Sequence, residues 1–204
     1  MQRCGKSRFS VRLRSYGGVM GMRHPDSPLS DGVIELRRWS FADLACVEEA
    51  GLDPRIPAVT SVPARWSVDA GRDFIERQWS RGEQSEGVSL AIHAHEPNRA
   101  VGLVSMTERP QAGVTGLGYW IVPSARAQGY ASRAALLAGD WALGLGGFAR
   151  IEAWVEPDNI ASQRVLVMAG FTLEGRLRSF LELGGERSDA LVYSRIQGYS
   201  LGAG

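Results

Sequence analysis

Two spacings of apolar residues recur along the chain and predict its secondary structure. Val88, Leu90 and Ile92 alternate with other residues, as in a strand with one buried face. Phe74, Ile75 and Trp79 are instead spaced for one face of a helix. This reasoning predicts strands at 32–39, 88–92, 100–106, 116–123 and 149–155, helices at 44–51, 67–81, 129–145 and 158–170, and a hairpin over 171–196 turning at Gly184-Gly185.

Turn and cap residues separate these elements. Ser40 followed by Asp43 resembles a capping box, and Ser67 can cap the second helix. A proline-rich segment around 54–63 is predicted to be a link without regular structure. The resulting order, β-α-α-β-β-β-α-β-α-β-β, predicts a mixed α/β (α+β) sheet rather than a helical bundle or a β-sandwich.

Charge divides the 204 residues into two parts, although the formal net charge is only +1. Residues 1–30 hold six basic residues and one acidic residue, so the remainder is net negative. A basic arm can bind nucleic acid or resemble a transit peptide. The simpler interpretation, which we favour, is a disordered extension ahead of a start at Met20 or Met22. We therefore predict one domain over 31–200 and no nucleic-acid partner.

Cysteines, histidines and hydropathy exclude several classes of protein. Only Cys4 and Cys46 are present, so a disulfide framework is not expected. His93 and His95 alternate along a strand without a neighbouring acidic cluster, so no metal site is predicted. No apolar run reaches the roughly 18 to 20 residues needed to cross a bilayer. We expect a cytoplasmic protein without a membrane partner.

The stretch IVPSARAQGYASRAAL, residues 121–136, joins a predicted strand to a predicted helix. Pro123 ends strand pairing because proline has no N–H. The amides of 128–131 then have no partner inside the helix and lie at the positive end of its dipole. Gly129 lets a phosphate approach the backbone, and Arg126 adds a guanidinium. The stretch therefore suggests an anion site, although it matches neither a Walker loop nor a dinucleotide fingerprint.

A second candidate site lies at the start of the helix predicted at 158–170. Asn159 and Ser162 are three residues apart, so their side chains leave the same end of this helix. Taken alone, the pair is better explained by structure, with Asp158 or Asn159 as the helix cap and Ser162 as a surface residue.

Together the two stretches resemble the GNAT superfamily of N-acetyltransferases. Arg126-Ala-Gln-Gly129-Tyr-Ala131 fits its Arg/Gln-x-x-Gly-x-Gly/Ala signature, and PDNIASQRVLVMAGFTLEG resembles its Asn-x-x-Ser segment. IELRRWSFAD, GLGYWIVP and GGERSDALVYSRI resemble the first strand and helix, the Gly-Tyr-Trp strand and the final hairpin. The resemblance spans about residues 32–197, and it is nearest in pattern to the ribosomal-protein alanine N-acetyltransferases.

The resemblance implies acetyl-coenzyme A as the co-substrate. Its pyrophosphate would bind the amides of 128–131, and its pantetheine would pair with the strand residues 119–122 as an added strand. The residues implied in binding it are Tyr119, Trp120, Ile121, Val122, Arg126, Ala127, Gln128, Gly129, Tyr130, Ala131, Ser132, Asn159 and Ser162.

The resemblance also suggests catalytic residues, with two departures from the family pattern. Many relatives carry a tyrosine acid where this chain has Leu166, and Ser162 is the implied acid for the leaving thiolate. Relatives of the same branch often carry a glutamate where this chain has Gly116. Glu108, at the end of the preceding strand, is the substitute base that we predict.

The acceptor implied by the resemblance is a protein N-terminal amine. The alternatives are a small-molecule or antibiotic amine, and a sensor that binds acyl-coenzyme A without turnover. The segments 52–66 and 178–190 are expected to shape the acceptor pocket, where Arg55, Trp66 and Arg178 either meet substrate or cover the core. Dimers are common in similar enzymes, so a homodimer is compatible with the resemblance.

Overall fold

An eight-stranded sheet organises the chain. The computed structural model describes residues 22–84, 87–183 and 185–198, and its strands lie in the order β1-β2-β3-β4-β5-β6-β8-β7. Neighbouring strands are antiparallel except β5 and β6. The elements are β1 (Leu29–Ser30), β2 (Ile34–Arg37), α1 (Leu44–Leu52), α2 (Ile56–Val59), α3 (Val68–Glu83), β3 (Val88–Ala94), β4 (Arg99–Glu108), β5 (Val114–Ile121), α4 (Tyr130–Leu143), β6 (Arg150–Val155), α5 (Ile160–Met168), β7 (Thr172–Leu183) and β8 (Glu186–Ile196).

The predicted mixed α/β sheet is confirmed, and the cap residues explain where its first helices begin. The carboxylate of Asp43 accepts hydrogen bonds from the amide of Ser40 at 2.9 Å and from both terminal nitrogens of Arg37 at 2.8 Å. A short 3-10 turn at 41–43 follows and leads into α1. The hydroxyl of Ser67 accepts from the amide of Ala70 at 3.0 Å and caps α3.

The proline-rich link differs from the prediction because it contains the one-turn helix α2. Pro57 occupies its second position, where the missing N–H has no helical partner to lose. The carboxylate of Asp53 caps this turn by accepting from the amides of Arg55 and Ile56 at 2.8 and 3.1 Å. The Asp53 cap thus stabilises a helical turn that can include Pro57, in a segment whose composition alone predicts a loop.

The folded part also begins before the predicted boundary at residue 31. β1 pairs with β2, and the side chain of Met22 is buried in the core. Apolar Met22 and the half-buried Leu29 gain by leaving water, so residues 22–30 pack on the domain. Residues 1–21, which carry most of the predicted basic extension, lie outside the described residues.

Strands β5 and β6 separate along their length and form a wedge. They pair in parallel only where 114–116 meets 150–152. Beyond that point β5 continues against β4 as far as Ile121, and β6 continues against β8 as far as Val155. Helices cover the sheet here, since α4 packs against β5 and β6 and α5 packs against α4 and β6. The wedge therefore opens next to the start of α4 and the start of α5.

Candidate active site

Two cavities meet at the open end of the wedge. The larger one, here called the loop cavity, has a volume of about 770 Å³ and lies between the loop 125–132, α2 and α5. The smaller one, the wedge cavity, has a volume of about 380 Å³ and lies between α3, β4, β5, β6 and the end of β7. Their shared wall consists of Val59, Thr60, Tyr119, Trp120, Glu156, Asn159 and Ser162.

The loop cavity is built around the start of α4. Ala127 and Gly129 both have left-handed backbone conformations, with φ of +61° and +78°. None of the amides of 128–132 donates a hydrogen bond to another described residue. A Cβ added at Gly129 would meet nothing within 4 Å, so the backbone there faces open space. Free amides at a helix start form a binding site for an anion.

All but one of the residues predicted to bind the coenzyme line the loop cavity. The exception is Val122, whose side chain is fully buried and whose amide donates to the carbonyl oxygen of Val101 at 2.9 Å. Val122 lies just past β5, where the chain still pairs with β4 and turns its side chain into the core. The strand pairing predicted for 119–122 therefore has to end at Ile121.

Arg126 lines the loop cavity, but its guanidinium already has two partners. One terminal nitrogen donates to the carboxylate of Asp53 at 2.7 Å, and Nε donates to the carbonyl oxygen of Ile121 at 3.1 Å. The side chain of Arg126 is 50% exposed, whereas that of Asp53 is 7% exposed. Arg126 thus holds the cap of α2 against the end of β5, a role that the spacing of the motif does not reveal.

One edge of β5 is free where the wedge opens. Because the amide of Val122 donates to Val101, the alternation of an antiparallel ladder turns the amides and carbonyls of Tyr119 and Ile121 away from β4. The β6 pairing has already ended at Gly116, so no described strand pairs with this edge, and only the carbonyl oxygen of Ile121 is taken, by Nε of Arg126. An extended ligand can add to it as a further strand.

A tyrosine and a serine form a hydrogen-bonded pair in the shared wall. The hydroxyl oxygens of Tyr119 and Ser162 are 2.9 Å apart, and the Tyr119 hydroxyl is also 3.1 Å from the carbonyl oxygen of Ser162. Burial raises the pKa of Tyr119 to about 12, so its hydroxyl keeps its proton at neutral pH. Leu166, by contrast, is fully buried. A tyrosine hydroxyl therefore reaches this site from β5, although the family's usual tyrosine position holds Leu166.

Asn159 has a structural role in addition to its place in the shared wall. Its side-chain oxygen accepts from the amide of Ser162 at 3.1 Å and caps α5. This contact fixes the first turn of α5 and therefore the position of the Ser162 hydroxyl. The cap role and the predicted binding role are compatible, because the same side chain also lines both cavities.

The closed end of the wedge explains the glycine at 116. A Cβ there would lie only 2.6 Å from Cζ of Arg109. The guanidinium of Arg109 stacks on the ring of Trp154, with Cζ 3.6 Å from its centroid, and burial lowers its pKa. A guanidinium occupies the space beside Gly116, so any side chain at that position would have to displace Arg109.

The structure does not bring Glu108 to the site. Its carboxylate accepts from the amide of Met22 at 2.7 Å, and it lines neither cavity. The reason is register: Glu108 pairs with Thr115, in the part of β5 that is still joined to β6. The prediction that Glu108 lies near the thioester therefore does not hold, because the adjacent strand places it at the closed end of the wedge.

The wedge cavity is lined by polar and apolar groups in about equal measure. Gln78 is buried and donates through Nε2 to the carbonyl oxygen of Phe74 at 2.9 Å. Arg81 donates to the hydroxyl of Thr107 at 2.9 Å. The apolar lining residues are Val59, Phe74, Leu103, Leu117, Trp154, Leu181 and Leu183, among others.

Both segments predicted to shape the acceptor pocket contribute to the cavities. Residues 59–61 and the end of β7 line the wedge cavity, and Arg55 lines the loop cavity. Trp66 and Arg178 line neither: Trp66 packs over Gly71 beside the core, and Arg178 is exposed on β7. Cys46 is buried, and burial raises the pKa of its thiol above the usual range, so it is an inert thiol.

Within residues 22–84, 87–183 and 185–198, no helix has the length and apolar character needed to span a membrane. The same residues contain no group of three or more histidine, cysteine or acidic side chains placed to hold a metal ion.

Comparison of the sequence with protein-family models identifies a family. A family model described as an acetyltransferase (GNAT) domain matches residues 34–172, more than half of the chain. Probable N-acetyltransferase YjcK of Bacillus subtilis (strain 168) is 30% identical over 129 residues, which cover 62% of this chain and 71% of YjcK.

Two solved structures share the fold. RimL, a ribosomal α-N-protein acetyltransferase solved with coenzyme A, matches with a TM-score of 0.72 at 21% identity, over 83% of this chain and 98% of RimL. MccE, a microcin self-immunity acetyltransferase solved with acetyl-CoA and AMP, matches with a TM-score of 0.71 at 20% identity, over 81% of this chain and 93% of MccE.

Proposed function

The chain belongs to the GNAT acetyltransferase family and uses acetyl-CoA, and we propose that it acetylates a protein N-terminal α-amino group. The observation that carries this proposal is the meeting of two cavities at the Tyr119–Ser162 pair. One cavity has the free amides that a pyrophosphate needs, and the other is a second space lined by both polar and apolar groups. Two substrates can therefore reach the same pair of hydroxyls from opposite sides.

The loop cavity suits acetyl-CoA in three respects. The amides of 128–132 are free for the pyrophosphate oxygens, and the bare backbone at Gly129 lets them approach. The edge of β5 at Tyr119 and at the amide of Ile121, with which no described strand pairs, suits the pantetheine, whose amides can pair as a strand does. This path leads the thioester from the start of α4 to the shared wall.

Direct attack by the amine needs little from the protein beyond position and polarisation. The nitrogen lone pair forms the new C–N bond, and the C–S bond breaks with its electrons on sulfur. Amides on the free edge of β5 stabilise the oxyanion, and the Ser162 hydroxyl, supported by Tyr119, protonates the sulfur. No covalent intermediate on the enzyme is required.

The choice of an α-amino group rests on acidity. An α-amino group has a pKa of about 8 whereas that of lysine is about 10.4, so far more of it is neutral near pH 7. The wedge cavity, at about 380 Å³, accommodates a small apolar group next to that amine. A small-molecule amine is the second candidate, because the same volume also fits a metabolite without any peptide beyond it.

The test combines binding and turnover in one preparation. Calorimetric titration with acetyl-CoA should give a defined affinity, and thiol release should then be followed over peptides with free N-termini, the same peptides with acetylated N-termini, and small amines. Release only with the free peptides supports the proposal. Release only with small amines supports the second candidate, and binding without any release indicates a sensor.

The proposal also includes the location and the oligomeric state of the protein. We propose a cytoplasmic enzyme because acetyl-CoA is an intracellular metabolite, and cell fractionation tests this. A homodimer is proposed from the resemblance alone, and sedimentation of the purified chain tests it.

A further inference from the structure

An amine acceptor brings a proton that has to be removed before it can react. At neutral pH an α-amino group is mostly an ammonium ion, which has no lone pair to attack a thioester. A carboxylate placed where the two substrates meet both attracts this cation and accepts its proton. The inference below rests on the proposed function, because it concerns the acceptor of that same reaction.

The two positions that the sequence suggests for a carboxylate do not serve this purpose. Gly116 has the guanidinium of Arg109 beside it, and Glu108 accepts from Met22 at the closed end of the wedge. The group that receives the proton therefore has to come from another element.

Glu156 is the one acidic residue among all the described residues that line the two cavities. It comes directly after the last residue of β6, beyond the segment in which β5 and β6 are paired. It belongs to the shared wall together with Tyr119 and Ser162, and its side chain is only 24% exposed. Its position is thus where an amine in the wedge cavity meets a thioester in the loop cavity.

The present partner of Glu156 is weakly held. A terminal nitrogen of Arg55 lies 3.4 Å from its carboxylate, and the Arg55 side chain is 66% exposed. Such an exposed pair contributes little and can be exchanged for another cation. Besides Glu156, the charged or titratable side chains that line the two cavities are Arg55, Arg81, Arg126, Arg164, Tyr119 and Tyr130.

We infer that Glu156 binds the acceptor ammonium and takes its proton as a catalytic base. One proton passes from the ammonium to Glu156 and then to solvent, which frees the lone pair for attack on the thioester carbonyl. The C–N bond forms, the C–S bond breaks, and a second proton from nitrogen balances the one that Ser162 gives to sulfur. The products are the acetamide, coenzyme A thiol and one released proton.

Glu156→Gln tests this inference, because the change keeps the shape and removes the basic carboxylate. At pH 6.5 we expect kcat/KM for the acceptor to fall about 100-fold or more, the usual range for loss of a general base. The affinity for acetyl-CoA should stay within about twofold. Glu156→Asp, which keeps the charge, should recover part of the rate.

The pH profile separates a base from a merely structural residue. Without Glu156 only the neutral amine reacts, so kcat/KM of Glu156→Gln should rise about tenfold per pH unit up to the α-amino pKa near 8. The defect relative to the unchanged enzyme should therefore shrink as the pH rises. Glu152→Gln is the matched control, since Glu152 lies on β6, pairs with Arg150 and lines neither cavity.

The outcomes separate the two proposals. A Glu156→Gln enzyme with an unchanged rate and profile overturns the role of Glu156 and leaves the acetyltransferase intact. A defect of equal size at every pH also overturns it, because a positional effect would not depend on the amine's charge. No thiol release from the unchanged enzyme with any amine overturns the proposed function, and this inference with it.

Discussion

The loop cavity and the wedge cavity are built in different ways. The loop cavity takes most of its chemistry from one continuous stretch, 125–132, and mainly from its backbone amides. The wedge cavity takes its chemistry from side chains on α3, β4, β5, β6 and β7, which are far apart in the sequence. A backbone site for a common co-substrate tolerates many side chains, whereas a side-chain site sets the choice of acceptor.

The shared wall belongs to both cavities, and its residues come from separate elements of the fold. Tyr119 belongs to β5 and Ser162 to α5, so their contact depends on how a strand and a helix pack. Variants in this wall should change catalysis, those in the loop cavity should change coenzyme affinity, and those behind the wedge cavity should change stability and acceptor affinity.

The largest effect is expected at the shared wall. Ser162→Ala should lower kcat about 100-fold because it removes the hydroxyl that protonates the leaving thiolate, with little change in the Kd of acetyl-CoA. Tyr119→Phe should lower kcat less, about tenfold, since it removes only the support for that hydroxyl. Steady-state kinetics on both variants measures this. The reverse ranking would make Tyr119 the proton donor.

The next effect is expected in the loop cavity. Gly129→Val would place a branched side chain in the open space above a left-handed residue, and should weaken acetyl-CoA binding about tenfold or more. Gly147→Val is the matched control: Gly147 has a φ of +73°, open space around it and a position past the far end of α4. Both should lose similar stability, about 1 to 2 kcal/mol, and only Gly129→Val should lose affinity in calorimetry.

If both glycine variants bound acetyl-CoA equally well, the loop cavity would not hold the pyrophosphate. The loop cavity would then not differ from the wedge cavity in binding its ligand through backbone amides.

A smaller effect is expected behind the wedge cavity. Gly116→Ala should push the Arg109 guanidinium off Trp154, and the lost stacking should lower the free energy of unfolding by about 1 kcal/mol. Because Trp154 lines the wedge cavity, the KM for the acceptor should also rise. Gly175→Ala, which has open space around it, should show neither change in urea unfolding and kinetics. An unaltered Gly116→Ala enzyme would mean that Arg109 is free to move.

The smallest effect concerns alkaline pH. The folded-state pKa of Tyr119 is about 12, above its ordinary value of 10, because burial disfavours the phenolate. Its contribution is fully present below pH 10 and is lost as the pH rises through about 12. Urea midpoints between pH 8 and 11 should fall more steeply for the unchanged protein than for Tyr119→Phe. Equal slopes would show that water reaches the phenol.

Much of the fold was predictable because its signals are local. Alternation identified the central strands, and Ser40, Ser67 and Asn159 marked helix starts that the structure places within a few residues. The short helix α2 and the burial of Met22 in the core were not predicted. The first depends on Asp53 as a cap, and the second on apolar contacts with distant strands.

The candidate site divides in the same way. The free amides of 128–132 follow from a helix start that the sequence displays directly, so almost every predicted coenzyme residue lines the loop cavity. The pairing of Arg126 with Asp53 and the position of Glu108 depend on register and on segments more than 70 residues away. Local sequence contains no signal for such contacts.

By itself the sequence determined the order of elements, the family resemblance and the helix start whose amides stay free, because each rests on local patterns of residues. Only the tertiary structure decided the chemistry at the shared wall. The Tyr119–Ser162 contact, the cation beside Gly116 and the position of Glu156 all follow from the separation of β5 and β6, which the strand pairing of the whole sheet sets. The distances between residues of the site depend on how the elements pack, and packing brings together residues that are far apart in the sequence.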